Sequence, residues 1–248
     1  MRIWFQKGIG PGTNITLDRP VPLRWKIVQK LSEDDLQLTE GEHLSLAVTK
    51  ILCLPHKLAL MRCYMQVPYE NTEMDVADTG ATQATTYIPE ELLAYQDLTS
   101  QELGITPKLL GFKITSQDKS GLVPGGFVVW LAWEMVPGLR LGIKDGCLWA
   151  SCILGSRCCR KRRNPATLCG EPPTIGHFSD TPALSSLVWD KDSKTLYFIG
   201  FRLRNKATGE PRITVPDVKW TAYFGLAQPD SHASLKGGWN QDTSGWKW

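Results

Sequence analysis

The chain of 248 residues lacks the features that mark a secreted or membrane protein. Its N-terminus has no apolar core region of the kind found in signal peptides. No window approaches the roughly 18 consecutive apolar residues that a membrane-spanning helix needs. The longest apolar run, GGFVVWLAWEMV, has the composition of a strand and is interrupted by Glu134. These absences predict a protein of the cytoplasm or nucleus that has no membrane partner.

The seven cysteines lack the CxxC spacing of structural zinc sites, and in a reducing compartment they are expected to be thiols. Five of them lie within residues 143–176, together with the basic run RCCRKRR (Arg157–Arg163). Zinc binding with the help of His177, or nucleic-acid binding through the basic run, is one interpretation of this segment. The absence of interleaved aromatic residues and a net charge of only +3 favour a solvated basic loop without a nucleic-acid partner.

What is present is an ordinary folded composition, with 42% hydrophobic and 21% charged residues. Two apolar runs, Leu44–Leu52 and Leu58–Val67, flank a short turn and predict a β-hairpin. Residues Ile88–Leu103 predict a helix, because Pro89 and two glutamates suit its first turn and its leucines share one side. Two more strand-like runs, TPKLLGFKITSQ and GGFVVWLAWEMV, follow. This order predicts an α+β fold in which one helix covers a small antiparallel sheet.

A second hairpin is predicted at LVWDKDSKTLYFIGFR (Leu187–Arg202), with its turn at Asp190–Lys194. Between the two halves, residues 143–176 combine glycines, prolines and cysteines and show no amphipathic helix. Two interpretations of that segment stay open. It is either a genuine divergent loop or the product of an imperfect gene model.

The segment TPKLLGFKITSQDKSGLVPGGFVVWLAWEMVPGLRLG (Thr106–Gly142) resembles the fungal protein-kinase-like and aminoglycoside-phosphotransferase-like proteins. In that family two strands lead into a hinge, and a PG..LG segment follows the hinge. The similarity extends back through the predicted helix and first hairpin and forward to FSDTPALSSLVWDKDSKTLYFIGF, about two thirds of the chain.

The resemblance implies a protein-kinase-like fold with an antiparallel small lobe, one covering helix and a truncated second lobe. The glycines and prolines of residues 1–24 predict an irregular N-terminal arm. With the resemblance, the predicted organisation continues with a small lobe and the hinge (25–142), the divergent Cys-rich basic segment (143–176) and a remnant of the catalytic lobe with the hairpin and a Trp-rich tail (177–248).

The same resemblance implies roles for individual residues in phosphoryl transfer. Arg62 takes the place of the lysine that holds nucleotide phosphates, and Glu91 that of the helix glutamate that orients this cation. Together with Glu134 beside the hinge, they form the candidate ATP site. Asp180 takes the place of the catalytic base. The simpler interpretations are a strand–helix salt bridge for Arg62 and Glu91, a strand-end cap for Glu134 and a turn residue for Asp180.

The implied Mg²⁺ site is depleted, because Ser185 stands where the family has asparagine and Gly200 where it has a second aspartate. The main hypothesis is therefore a degenerate, pseudokinase-like domain with weak or absent phosphotransfer and a binding or scaffold role toward an unidentified protein. The first alternative is an active ATP-dependent phosphotransferase that acts on a hydroxyl acceptor. The second is a zinc- or nucleic-acid-binding module.

Overall fold

The structure, a computed structural model, describes residues 3–6, 8–39, 44–54, 57–73, 77–141, 186–201 and 244–247. In these residues the chain forms nine strands and two helices. The strands are β1 (Asn14–Leu17), β2 (Leu23–Leu36), β3 (Leu46–Leu54), β4 (Ala59–Gln66), β5 (Leu109–Ser116), β6 (Phe127–Glu134), β7 (Leu139–Arg140), β8 (Leu187–Asp190) and β9 (Thr195–Phe198). The helices are α1 (Ala77–Thr82) and α2 (Glu90–Ser100).

The chain divides into two compact units. One comprises Met1–Asp97 with Lys108–Met135, and the other comprises Leu98–Pro107 with Val136–Trp248. No helix in the described part of the chain is both long enough and apolar enough to cross a membrane.

The first unit contains a six-stranded antiparallel sheet in the order β1-β2-β3-β4-β6-β5. The first and last strands in this order, β1 and β5, lie close together. Directly after β1, the backbone of Arg19 exchanges two hydrogen bonds with that of Phe112 in β5, at 2.9 and 3.1 Å. The sheet therefore curls into a nearly closed barrel.

Local irregularities in two strands make this curvature possible. The pairing of β2 with β3 shifts register twice, between Ile27 and Gln29 and between Lys30 and Ser32, and β5 shifts once before Gly111. Such irregularities bend a strand and increase its twist, which an open sheet needs in order to close. Gly111 also permits the closure sterically, because a Cβ at this position would lie 3.1 Å from the carbonyl oxygen of Arg19.

The barrel interior is an apolar core to which five strands and the N-terminal segment contribute. The alternation of side chains along each strand directs every second residue inward. The buried members of this core are Phe5, Ile9, Leu17, Trp25, Ile27, Ala47, Ile51, Cys53, Ala59, Met61, Cys63, Val67 and Ala132.

The opposite, outward face of β4 and β6 is also buried, because α2 contacts it. Val129, Leu131 and Trp133 of β6 and Leu92 and Tyr95 of α2 are all at most 4% exposed. The Tyr95 and Trp133 rings stack with centroids 5.3 Å apart. The central strands are therefore covered on both faces.

The second unit contains a three-stranded antiparallel sheet in the order β7-β8-β9. In the turn of the β8–β9 hairpin, the Asp190 carboxylate accepts hydrogen bonds from the Asp192 backbone and the Ser193 hydroxyl. After β9, Gly200 adopts a left-handed conformation, with φ of 86°. A side chain is disfavoured in that conformation, so this position suits glycine better than aspartate.

The structure confirms the two predicted hairpins, the helix and the pair of strands that become β5 and β6. The prediction of an α+β, protein-kinase-like fold is wrong. Strands account for 43% and helices for only 11% of the described residues, and the main sheet is a nearly closed barrel. The error has a physical cause. The glycines and prolines of residues 1–24 predict an irregular arm, whereas residues 14–17 form β1, which brings the sheet back toward β5.

Candidate functional site

Arg62 and Glu91 form a buried ion pair between β4 and α2. The Arg62 guanidinium donates a hydrogen bond through Nη1 to Glu91 Oε1. The two side chains are only 12% and 1% exposed. The second carboxylate oxygen of Glu91 accepts a hydrogen bond of 2.7 Å from the Tyr64 hydroxyl. Both oxygens of this carboxylate are thus used inside the protein, as a buried charge requires.

The strand register explains this grouping. Arg62 and Tyr64 are two residues apart on β4, so both side chains leave its outward face. On the neighbouring β6, Trp133 lies on the same face, and its ring centroid is 5.2 Å from the centre of the Arg62 guanidinium. This distance is typical of a cation–π contact. Arg62 therefore lies between a carboxylate and an aromatic ring.

The surroundings of Arg62 favour its charged form. Burial lowers the pKa of Arg62, but the charge and hydrogen bond of Glu91, together with Tyr64 and Tyr95, outweigh this effect and raise it above the ordinary value. The pKa of Tyr64 is raised well above its usual value, mainly by burial and further by the charge of Glu91. The pKa of Tyr95 is also raised well above its usual value, first by burial and then by the charge of Glu91. At neutral pH Arg62 is therefore a cation, and both tyrosines are protonated.

Glu134, the third residue of the predicted nucleotide site, does not join this pair. Its position on β6 is three residues beyond Leu131, the register partner of Arg62, so its side chain leaves the opposite face of the sheet. There it forms a salt bridge of 3.3 Å with Lys57. The structure brings Arg62 and Glu91 together and places Glu134 elsewhere in the same unit.

The remaining predicted site residues lie outside the described residues. These are Asp180, Ser185, His177, the five cysteines of residues 143–176 and the basic run Arg157–Arg163. Cys53 and Cys63 are free thiols in the barrel core, and burial raises the pKa of Cys53 to about 12. Within the described ranges, no three His, Cys, Asp or Glu side chains are grouped closely enough to hold a metal ion.

A network of three glutamines, which the sequence pattern does not predict, joins the loops at one end of the barrel. Gln66, the last residue of β4, donates to the Gln83 carbonyl at 2.6 Å and accepts from the Thr85 backbone at 3.0 Å. Gln117 donates to the Gln66 carbonyl at 2.8 Å and accepts from the Val123 backbone at 3.1 Å. Each amide thus has both a donor and an acceptor bond.

The third member, Gln83, ties the segment after β4 to the loop after α1. Its side chain accepts from the Tyr69 backbone at 3.0 Å and donates to the Thr72 hydroxyl at 2.9 Å. Amides that both donate and accept hydrogen bonds away from bulk water fix the conformation of the segments they join. Nothing in the sequence pattern marks these three glutamines, because they lie far apart in the chain.

Beside this network lies a cleft of about 810 Å³. The N-terminal segment (residues 3–6) forms one wall, and residues 116–122, which include the end of β5 and the start of the β5–β6 loop, form another. Met65 and Val128, from the ends of β4 and β6, also line it. A preformed concave site of this volume is large enough to bind a small molecule or part of a peptide.

Comparisons with the models of known protein families and with curated proteins found no match for this chain. The resemblance to phosphotransferases therefore rests on the quoted sequence segments alone.

Proposed function

We propose that this chain is a binding or scaffold domain with weak or absent phosphotransfer activity. The observation that carries the proposal is the enclosure of Arg62, which hydrogen-bonds to Glu91 and packs against Trp133 while only 12% of its side chain is exposed. A cation that is to hold nucleotide phosphates needs donors that face the ligand. The preformed cleft in the same unit supports the binding role.

Nucleotide titration tests the first half of this proposal. ATP at ten times its Kd would stabilise the fold by about 1.4 kcal/mol. That corresponds to a rise in Tm of roughly 3 to 6 °C for a protein of this size. We expect no such rise with millimolar ATP, with or without Mg²⁺.

A matched double variant, Arg62→Met with Glu91→Leu, keeps the volume and removes both charges. A Mg²⁺-dependent rise in Tm that the wild type shows and this variant loses would contradict the proposal. It would favour the alternative of an active ATP-dependent phosphotransferase with a hydroxyl acceptor. Transfer of radiolabelled phosphate from ATP to water or to a hydroxyl acceptor gives an independent readout of the same alternative.

The proposal includes a location in the cytoplasm or nucleus, which the free thiols Cys53 and Cys63 support. Fractionation of cells that express the tagged chain tests it. The zinc- or nucleic-acid-binding alternative rests on the sequence of residues 143–176. A zinc assay on the purified chain and a salt-dependent nucleic-acid binding curve test it.

A further inference from the structure

The barrel closes only partly between its first and last strands, β1 and β5. The backbones of Asp18 and Arg19, directly after β1, hydrogen-bond to that of Phe112 at 2.9 to 3.2 Å. In the described part of the chain no other backbone hydrogen bond joins the two sides, although β5 continues to Ser116. Beyond Phe112, each of the two strands therefore has a side without a strand partner.

The alternation of the β5 backbone identifies which of its groups are unpaired. Successive residues of an antiparallel strand direct their N–H and C=O groups to opposite neighbours. Phe112 directs both groups to the segment after β1, whereas the Gln117 N–H points the other way, to the Gly126 carbonyl at 2.7 Å. Ile114 and Ser116 are an even number of residues from Phe112. Their backbone groups therefore point away from β6.

The same alternation applies to β1. The Ile27 N–H of β2 donates to the Thr13 carbonyl at 2.8 Å, and the Asp18 N–H points the opposite way, to β5. Asn14 and Thr16 are an even number of residues from Asp18. Their backbone groups therefore point away from β2, to the side on which β5 lies.

Residues 14–16 of β1 and 114–116 of β5, the two open edges, are not protected by their side chains. Natural proteins usually shield a free strand edge with lysine, proline or another charged residue. Neither open edge contains a charged residue or a proline. The nearby charges of Lys113 and Asp18 pair with each other at 3.6 Å. Five of the six edge residues are exposed and four are β-branched, a composition that favours addition of a further strand.

We propose that an extended, uncharged segment of a partner protein adds to the open edge of β5 as a further strand. This inference rests on the binding role proposed above. The backbone of the segment pairs with the N–H and C=O groups of Ile114 and Ser116, a mode of recognition known as β-augmentation. Threonine alternating with an aromatic residue suits this edge. Across strands, threonine bonds to threonine or serine, and aromatic rings pack on β-branched residues such as Ile114.

A partner segment fits the open edges better than a second copy of this chain does. A segment that lies between the edges has two unpaired sides and can bond to both of them. In a second copy, β5 has only one unpaired side, because its other side is paired with β6. Two copies joined in this way share only the few hydrogen bonds of one short edge, which is little for a specific interface.

The first test uses a fluorescein-labelled peptide in which threonine alternates with tyrosine, and a matched peptide with N-methylated backbone amides. Fluorescence anisotropy measures their affinity for the full chain. We expect the N-methylated peptide to bind at least about tenfold more weakly, because its backbone has no N–H donors. The affinity of the unmodified peptide should depend little on salt, since the contacts involve no charges.

Amide hydrogen exchange, followed by NMR, tests the location without any substitution. In the free chain we expect the Ile114 and Ser116 amides to exchange faster than the Thr115 amide, which points to β6. The peptide at ten times its Kd should slow exchange at Ile114 and Ser116 about tenfold, because only the free fraction of the chain exchanges there.

The variant Ile114→Pro removes an N–H that the pairing of β5 with β6 does not use, so the sheet should remain intact. We expect this variant to bind the peptide about tenfold more weakly. The matched control is Ile114→Val, which keeps both the N–H and a β-branched side chain, and its affinity should stay unchanged. Thermal melts followed by circular dichroism check that both variants remain folded.

The proposal is overturned if the peptide does not bind, if the N-methylated peptide binds equally well, or if bound peptide leaves exchange at Ile114 and Ser116 unchanged. It is also overturned if the free chain is a dimer that Ile114→Pro converts to a monomer, as measured by analytical ultracentrifugation. That result would assign the edge to a second copy.

The outcome is separable from that of the proposed function. Absence of peptide binding without an ATP response contradicts only the strand-addition inference. An ATP response with intact peptide binding contradicts only the proposed lack of phosphotransfer.

Discussion

The two faces of β4 bury different kinds of side chain. On the inward face, Ala59, Met61 and Cys63 are fully or almost fully buried in the apolar barrel core. On the outward face, Arg62 and Tyr64 are covered by α2 and carry polar groups. The inward face is stabilised by the removal of apolar area from water and requires only that volumes match. The outward face buries a charge, so it requires a particular partner at a particular place.

The difference predicts that the outward face is the more sensitive to loss of one residue. Glu91→Gln leaves the Arg62 charge buried without its counter-charge, and we expect it to lower the free energy of unfolding by about 3 to 5 kcal/mol. Urea denaturation of the purified chain measures this change.

The control for this prediction is the double variant Arg62→Met with Glu91→Leu. Replacement of a buried ion pair by apolar residues of similar volume is often neutral or stabilising. We expect the double variant to lie within about 1 kcal/mol of the wild type. If the double variant is no more stable than Glu91→Gln, the outward face does not depend on charge balance.

The inward face should respond to volume alone. Met61→Ala leaves a cavity in the barrel core, because Met61 is fully buried. We expect a loss of about 2 to 4 kcal/mol in the free energy of unfolding, again by urea denaturation. Met135→Ala is the matched control, since Met135 is 44% exposed, and it should change stability little. Similar losses in the two variants would show that Met61 does not pack in a core.

Tyr64 combines both kinds of burial. Its ring is buried, and its hydroxyl donates a hydrogen bond to Glu91 of the ion pair. Tyr64→Phe removes one donor to the Glu91 carboxylate. We expect a loss of about 1.5 kcal/mol at neutral pH, the magnitude of a hydrogen bond to a charged group. Tyr197→Phe in the partly exposed β9 is the control and should have a smaller effect.

The same variant carries a pH prediction. The pKa of Tyr64 is raised in the folded state from the reference value of 10.0, because burial and the Glu91 charge disfavour the phenolate. The stability that depends on the protonated hydroxyl is fully present below pH 10 and is lost as the pH rises above it. Stability measured from pH 8 upward should therefore fall beyond about pH 10, and less steeply in Tyr64→Phe. Tyr95 retains part of the effect, since its pKa is raised in the same direction.

The smallest expected effect concerns the seam of the barrel, the backbone pairing between Arg19 and Phe112 that closes the sheet. A Cβ at Gly111 would lie 3.1 Å from the Arg19 carbonyl oxygen and 3.2 Å from Leu17 Cδ1. Gly111→Ala should therefore strain the seam and cost about 1 kcal/mol in the free energy of unfolding. Gly10→Ala is the control, because a Cβ there meets no atom within 4 Å. Faster amide hydrogen exchange at Phe112 in Gly111→Ala alone would locate the effect at the seam. Unchanged stability and exchange would contradict it.

Local pattern was sufficient to predict part of the fold. The β3–β4 hairpin, α2 and the strands β5 and β6 follow from runs of apolar residues, turn residues and helix-start residues within short windows. β1 escaped prediction because it has only four residues and lies among glycines and prolines. The closure between Arg19 and Phe112 escaped it because the two residues are far apart in sequence. This missed pairing is also why the α+β prediction failed.

The candidate site, like the fold, could be predicted from the sequence only in part. A pairing of Arg62 with Glu91 was one of the interpretations of the sequence, and the structure contains it. The burial of the pair, its contact with Trp133 and the separation of Glu134 were not predictable, because they depend on strand register and on which face α2 covers. The glutamine network was likewise not predictable from the sequence, because its three amides come from three separate segments.

The sequence by itself determined most of the local elements, namely the two hairpins, α2, β5 and β6, and the presence of a glycine after β9. These properties follow from propensity, periodicity and residue identity over a few neighbours. Only the tertiary structure decided that the sheet closes into a barrel, that Arg62 is enclosed by Glu91 and Trp133, and that a cleft opens beside the glutamines. Closure and burial depend on contacts between distant residues, and those contacts exist only when the whole sheet has formed.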